Sequence, residues 1–160
     1  MQINIVLVHP DIPQNTGNIA RLTAANRAKL HLIHPMGFKI DEKQVKRAGL
    51  DYWPMVELAE YDDWSHFLSA NEQPQNLWFF STKAKRDYYE VAFTEGKREE
   101  VYLVYGSETA GLPSSYIETY PERFLKIPMA QPGVRSLNLA NSVAIGLYEV
   151  IRQQAADSVE

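Results

Sequence analysis

The segment Asn15-Thr16-Gly17-Asn18-Ile19-Ala20-Arg21 places amides, a hydroxyl, a glycine and a guanidinium where an apolar run gives way to a helical pattern. Free N–H groups at the start of a helix favour anions, and a glycine lets an anion approach closely. Arg21 lies about one and a half turns into the predicted helix, within reach of a phosphate at its mouth. The same residues also fit a plain helix start, with Asn15 as the cap and Arg21 on the surface. The segment matches neither the three-glycine dinucleotide pattern nor a P-loop.

A second segment, Gly106-Ser107-Glu108-Thr109-Ala110-Gly111-Leu112-Pro113, follows the apolar run that ends at Tyr105. Its two glycines allow the main chain to approach a ligand closely. Glu108 lies between them, where a carboxylate can cap a helix, order the loop or bind a hydroxyl group. We therefore predict a functional loop here and not only a connection.

A third segment runs from Ile127 to Asn141 and combines prolines and a glycine with the start of an apolar helix. Ser136 fits an N-cap, a ligand contact, or both at once. Asn138 fits either a surface position or a polar contact in a site. These alternatives stay open from the residues alone.

The three segments follow apolar runs in a chain whose strand and helix patterns alternate, which predicts an α/β fold with a mostly parallel sheet flanked by helices. The predicted strands are 3–8, 30–34, 54–58, 77–80, 101–105 and 124–127. The predicted helices are 15–29, 41–48, 62–70, one from about 114, and one from 137 or 138 to about 154. In such sheets ligands bind beyond the carboxyl ends of the strands, which is where the polar segments fall.

Composition narrows the function classes. A chain of 160 residues predicts one domain, 1–160, with a disordered tail at 155–160, and the absence of cysteine excludes disulfides and thiolate chemistry. The four histidines lack ligand spacing, so no metal is expected. The amino-terminal sequence resembles neither a signal peptide nor a membrane span, so we expect a cytoplasmic protein without membrane contact. The net charge of −4 argues against a nucleic-acid binder, although the stretch from Arg21 to Arg47 is locally basic.

Taken together, the three segments resemble motifs of the SPOUT (TrmH-like) superfamily of RNA 2′-O-methyltransferases. The resemblance covers the whole chain and is closest to the small tRNA enzymes that act on the wobble cytidine or uridine of leucine tRNAs. Two further segments, Pro35 to Phe38 and Arg47 to Tyr52, are similar to that subgroup.

The resemblance implies a C-terminal trefoil knot, with S-adenosylmethionine bound there and S-adenosylhomocysteine as its product. Three loops would hold the cofactor largely through main-chain groups. The implied cofactor-binding residues are Phe80, Ser81, Thr82, Gly106, Glu108, Ile127, Met129, Ser136 and Leu137.

The implied catalytic residues are Arg21, Asn15, Glu108, Ser136 and Asn138. Because a guanidinium stays protonated, we interpret Arg21 as a clamp on the phosphate beside the target ribose that also stabilises the forming alkoxide. Asn15 and Asn138 would orient the hydroxyl group and Arg21, and Glu108 would order the loops through Arg21. His9 and His34 end strands, but neither is an obvious base.

The implied partners are tRNA and a second copy of the chain. The homodimer would form through the first helix and the last helix, with Leu147, Tyr148 and Ile151 as contacts and plain packing as the alternative for Leu147. Two rival functions remain: a cofactor-binding α/β protein that acts on a small molecule or another RNA, and a non-catalytic RNA-binding factor on the same fold.

Overall fold

The computed structural model describes residues 1–40 and 51–159. In these residues a seven-stranded sheet has the order β3-β2-β1-β6-β4-β7-β5, and every pair of neighbouring strands is parallel. The strands are β1 (Gln2–Val8), β2 (Lys29–Ile33), β3 (Glu57–Tyr61), β4 (Leu77–Phe80), β5 (Arg86–Asp87), β6 (Glu100–Tyr105) and β7 (Phe124–Lys126). The helices are α1 (Pro13–Ala25), α2 (Trp64–Ala70), α3 (Ser114–Thr119) and α4 (Leu139–Asp157), with 3₁₀ turns at Trp53–Met55, Tyr88–Glu90 and Pro121–Arg123.

Two apolar layers hold the helices against the sheet. On one face α1 and α4 pack with the strands, and Ile19 and Leu147 are fully buried there. On the other face α2 and α3 contribute Phe67 and Tyr116. The central strands β1, β4 and β6 are buried on both faces, which explains why they appear in the sequence as continuous apolar runs without polar alternation.

The predicted α/β class, the parallel sheet and most elements are confirmed, and the errors are local. The strand predicted at 54–58 is wrong in position, since Trp53–Met55 forms a 3₁₀ turn and the strand is Glu57–Tyr61. Pro54 favours the first positions of such a turn and cannot donate to a strand ladder. The two-residue edge strand β5 has no periodicity to detect and was not predicted. The helix predicted at 41–48 lies outside the described residues.

Helix ends also differ from the prediction. Helix α1 begins at Pro13, whose fixed φ suits a first helical position, and it ends at Ala25 before Arg27, which has a φ of 52°. Helix α4 runs to Asp157, so the first half of the segment expected to be a disordered tail, 155–157, is helical. The implied knot stays a prediction.

A buried polar network lies within the second layer. The imidazole of His31 is fully buried, with Nδ1 2.8 Å from the Tyr61 hydroxyl and Nε2 2.9 Å from the side-chain oxygen of Asn4. Burial, and secondarily the charge of Lys29, lowers the pKa of His31 from 6.5 to about 3. The ring is therefore neutral in the folded protein at pH values where an exposed histidine is already charged.

This network predicts a stability that depends on pH. Below about pH 6.5 His31 binds a proton in the unfolded chain, whereas in the folded chain it stays neutral down to about pH 3. The stability that depends on neutral His31 is therefore complete above pH 6.5 and is lost as the pH falls. The loss approaches ~1.4 kcal/mol per pH unit in that window. Urea unfolding at pH 7, 6 and 5 should show a steeper decline for the natural protein than for His31→Phe. Equal declines would contradict the assignment.

Candidate functional site

The three polar segments meet around one cavity of about 500 Å³ beyond the carboxyl ends of β4, β6 and β7. This volume lies in the range of small-molecule sites. All nine residues predicted to bind the cofactor line the cavity: Phe80, Ser81, Thr82, Gly106, Glu108, Ile127, Met129, Ser136 and Leu137. The parallel register of the sheet produces this convergence, since it brings the ends of sequence-distant strands to one edge.

The loop after β6 depends on its glycines. A Cβ on Gly106 would collide with the backbone of Gly111 and Leu112, which fold back against it. Ser107 and Gly111 pair through two backbone hydrogen bonds of 3.3 and 3.0 Å, and Gly111 has a φ of 68°. The loop is therefore a closed backbone turn beside the cavity that only glycine permits at these two positions.

Glu108 connects this loop to α1. Its carboxylate accepts hydrogen bonds from the backbone N–H groups of Asp11, at 2.7 Å, and Ile12, at 3.1 Å, and from the Asn15 amide, at 3.3 Å. The Thr109 hydroxyl adds a bond of 2.6 Å to the Asp11 carboxylate. The sequence suggested that the start of this helix could bind a phosphate. In the structure the Glu108 carboxylate lies there instead, and the helix dipole favours its negative charge.

Asn15 extends the network to the third segment. The Asn138 amide donates to the Asn15 side-chain oxygen at 3.0 Å, and the Asn138 side chain accepts from the backbone of Asn141 at 3.2 Å. Asn138, not Ser136, is therefore the N-cap of α4, and Asn15 is not the cap of α1, where Ile12 occupies that position. Ser136 is exposed at the cavity and free of a capping role.

Arg21 lies apart from the other four predicted catalytic residues. It is exposed and does not line the cavity. Glu108 orders the loops as predicted, but through Asp11, Ile12 and Asn15 and not through a hydrogen bond to Arg21. Its guanidinium lies 6.0 Å from the ring centre of Tyr52, whose hydroxyl donates to the Gly17 carbonyl at 3.2 Å. Tyr52 thus attaches to α1 and supports the Arg21 side chain by a cation–π contact.

The histidines take no part in the cavity. His34 lies 3.3 Å from the Glu60 carboxylate near the surface, and His9 lines a second depression that the Gly106–Pro113 loop also borders. Within residues 1–40 and 51–159, no group of three acidic or histidine side chains could hold a metal ion. No helix in the same part of the chain is long and apolar enough to cross a membrane.

The predicted dimer contacts divide into two kinds. Leu147 is 0% exposed and belongs to the core, so its prediction as an interface residue is wrong and plain packing is correct. Tyr148 is 53% exposed, and its hydroxyl accepts a 3.4 Å hydrogen bond from Asn26 at the end of α1. Ile151 is partly buried beside the same layer.

The floor of the cavity contains a residue that the sequence analysis missed. Tyr105 stacks on Phe80 with ring centres 4.7 Å apart, and its fully buried hydroxyl has no hydrogen-bond partner among the described residues. Burial raises the pKa of Tyr105 well above its ordinary value, so the hydroxyl stays neutral. Gly146 of α4 faces this hydroxyl, and a side chain there would collide with it. The apolar sequence of β6 did not indicate that its last residue, Tyr105, lies at the site.

A parallel sheet with a cavity built by main-chain loops at its carboxyl edge is the architecture of cofactor-binding α/β proteins. Residues 2–148 match the SpoU rRNA Methylase family, and the chain belongs to that family. It is 43% identical over 152 residues to the tRNA (cytidine(34)-2′-O)-methyltransferase of Burkholderia ambifaria, covering 94% of both chains.

Two solved structures agree with this assignment. A structure described as giving insight into the 2-OH methylation of C/U34 on tRNA superposes with a TM-score of 0.88, at 43% identity and with 97% of each chain covered. The SpoU methyltransferase AviRb of Streptomyces viridochromogenes, in complex with its cofactor AdoMet, superposes with a TM-score of 0.79 at 25% identity. That comparison covers 96% of this chain and 58% of AviRb.

The contact between Tyr105 and Gly146 predicts a compensating pair of substitutions. Gly146→Ala should lower the free energy of unfolding by about 1–3 kcal/mol, because the added methyl overpacks the Tyr105 hydroxyl. Tyr105→Phe alone should cost little, since that hydroxyl has no partner in the described structure. Combining the two changes should restore most of the lost stability. Chemical denaturation of the three variants measures this, and simple additivity would contradict it.

Proposed function

We propose that this protein transfers a methyl group from S-adenosylmethionine to the ribose 2′-hydroxyl of the wobble nucleotide, cytidine or uridine 34, of tRNA, with leucine tRNAs as the substrates and the cytoplasm as the location. The observation that carries the proposal is that all three polar segments contribute to the lining of one cavity. The Burkholderia relative and the C/U34 structure support the choice of tRNA and of the 2′-oxygen, at 43% identity over nearly the whole chain.

The cavity residues suit the proposed cofactor. The stacked Phe80 and Tyr105 rings offer an apolar wall to the cavity. The loops of Ser81 to Lys83 and Gly106 to Gly111 line the cavity, and most of their residues are small. When bound, S-adenosylmethionine supplies an electrophilic methyl group on a sulfonium, and the acceptor oxygen displaces S-adenosylhomocysteine.

The chain's own groups supply orientation and electrostatics. Glu108 accepts three hydrogen bonds, from the backbone of Asp11 and Ile12 and from the Asn15 amide, so it acts as a loop-ordering group. Asn138, which donates to Asn15, and Ser136 also line the cavity, where they can orient a ribose hydroxyl. A carboxylate that is fixed in this way holds the Gly106–Pro113 loop in one position for the reaction.

Arg21 acts as a clamp on the phosphate beside the target ribose and stabilises the alkoxide that forms. Because Arg21 is exposed and outside the cavity of its own chain, a site that includes it needs a second surface. A homodimer through α1 and α4, with the exposed Tyr148 as a contact, supplies that surface and also joins the basic residues of two chains. This arrangement reconciles an acidic protein with an RNA substrate.

The proposed reaction is tested with tRNA from cells that lack the wobble 2′-O-methyl group. Labelled methyl groups should pass from S-adenosylmethionine to this tRNA, and nuclease mapping should place them on the ribose of nucleotide 34. Ribosomal RNA and tRNA that already carries the modification serve as controls. Labelling of ribosomal RNA instead of tRNA, or no labelling with cofactor binding intact, would contradict the proposal.

In the same assay Arg21→Ala should lower the turnover number by on the order of 10²- to 10³-fold, because the developing negative charge loses its stabilising cation. Its affinity for S-adenosylmethionine should stay within about twofold, since Arg21 does not line the cavity. Arg98→Ala removes an equally exposed arginine before β6, at the opposite end of the sheet, and should change neither quantity. Near-normal turnover of Arg21→Ala would remove Arg21 from the mechanism.

A further inference from the structure

A cluster of positive side chains lies along the outer edge of the sheet, beside β5 and β7. We define this basic edge as Lys83, Lys85, Arg86, Arg123 and Lys126. Lys83, Lys85 and Arg86 are exposed, while Arg123 and Lys126 are partly buried. None of these residues belongs to the three polar segments, and apart from Lys83, which lines the cavity, the proposed site uses none of them. From their arrangement we propose that the basic edge binds the phosphate backbone of the tRNA substrate next to the reacting nucleotide.

Two arginines of the basic edge are held on one indole ring. The Arg123 guanidinium lies 4.7 Å from the ring centre of Trp78, and the Arg86 guanidinium lies 5.9 Å from it. Arg86 also donates to the Glu90 carbonyl at 3.0 Å. In the part of the chain that the structure describes, neither guanidinium contacts a carboxylate. Two guanidinium groups beside one ring, neither paired with a carboxylate among the described residues, suit contacts with the phosphates of a polynucleotide.

Two acidic residues at this edge of the sheet, Asp87 and Glu90, are engaged in contacts, one of them with Lys126 of the basic edge itself. Asp87 lies 3.7 Å from Lys126 and accepts from the Tyr89 hydroxyl at 2.9 Å, and Glu90 accepts from the Asp87 backbone at 3.0 Å. These contacts draw the two carboxylates into the 3₁₀ turn Tyr88–Glu90 and leave Lys85 and Arg86 as the outward charges. Tyr89, 55% exposed, adds an aromatic ring on which a base can stack.

The basic edge is continuous with the cavity. Lys83 lines the cavity directly, and Lys126 precedes Ile127, which also lines it. Strand β5 lies two strands away from β4, so the outermost charges are about 10 Å from the strand that ends at Phe80. A polynucleotide whose ribose reaches the cavity therefore passes within reach of these cations. This inference rests on the proposed function, because it concerns the same substrate at the same site.

Charged residues on an edge strand also have a purely structural use, since they prevent pairing with the edges of other molecules. The two roles differ in their dependence on salt. A cation that contacts a phosphate releases a counter-ion on binding, so its removal flattens the plot of log affinity against log salt by about 0.7 to 0.9. A cation that only protects the edge leaves this slope unchanged.

The test uses the full-length Lys85→Ala/Arg86→Ala double variant and the matched control Lys97→Ala/Arg98→Ala. The control removes the same two charge types from an exposed loop before β6, at the opposite end of the sheet. Binding of tRNA lacking the wobble methyl group is measured at several salt concentrations. For the basic-edge variant the slope should fall by about 1.5, and the affinity at ~0.1 M salt should weaken on the order of tenfold. The control should keep the natural values.

Kinetics separate docking from chemistry. The basic-edge variant should raise the KM for tRNA while kcat at saturating tRNA and the affinity for S-adenosylmethionine stay within about twofold, since neither residue lines the cavity. Lys85→Ala alone, at an exposed side chain, gives half of the slope change should the Arg86 variant fold poorly. An unchanged slope and KM, with or without aggregation, would overturn the proposal. A natural protein that binds or methylates no tRNA would instead refute the proposed function.

Discussion

The site depends on one carboxylate at the start of one helix. Glu108 comes from the loop after β6, yet its hydrogen bonds go to Asp11, Ile12 and Asn15, about a hundred residues earlier in the chain. It accepts from the N–H of Ile12, the N-cap residue, and of Asp11 before it, and it places negative charge at the positive end of the helix dipole. Asn15 then passes the connection to Asn138 at the start of α4. Two helices and the cavity loop are thereby fixed relative to one another.

This connection explains why the polar residues appear in three separate segments. The parallel sheet brings the ends of β4, β6 and β7 to one edge, but parallel strands alone leave their loops free. The glycines at 106 and 111 let one loop fold back on itself, and Glu108 holds that loop against α1. Tyr105 and Phe80 supply the floor, where Gly146 leaves room for a hydroxyl. A site built largely of backbone needs such constraints more than it needs reactive side chains.

Much of this was predictable from the sequence. Apolar runs in the sequence predicted the buried strands, and the alternation of strand and helix patterns predicted the parallel sheet. The nine predicted cavity residues came from resemblance, which carries tertiary information that periodicity lacks. Local patterns failed where tertiary contacts decide which residue caps a helix. Asn15 was expected to cap α1, but Glu108 from a distant loop bonds the start of this helix. Ser136 was expected to cap α4, but Asn138 does so. Leu147 was predicted at an interface because the sequence of an amphipathic helix does not show whether its apolar side packs on its own chain or on a second copy. In the structure Leu147 packs on its own chain.

We conclude that the Glu108 carboxylate, bound to the start of α1, gives the cofactor cavity its shape. The most direct measurement is calorimetric titration of Glu108→Gln with S-adenosylmethionine, on protein shown by its melting curve to be folded. The amide keeps the size of the side chain but loses the charge that strengthens three hydrogen bonds. The account predicts an affinity weakened by about tenfold or more, equivalent to at least ~1.4 kcal/mol. An affinity equal to that of the natural protein would contradict it.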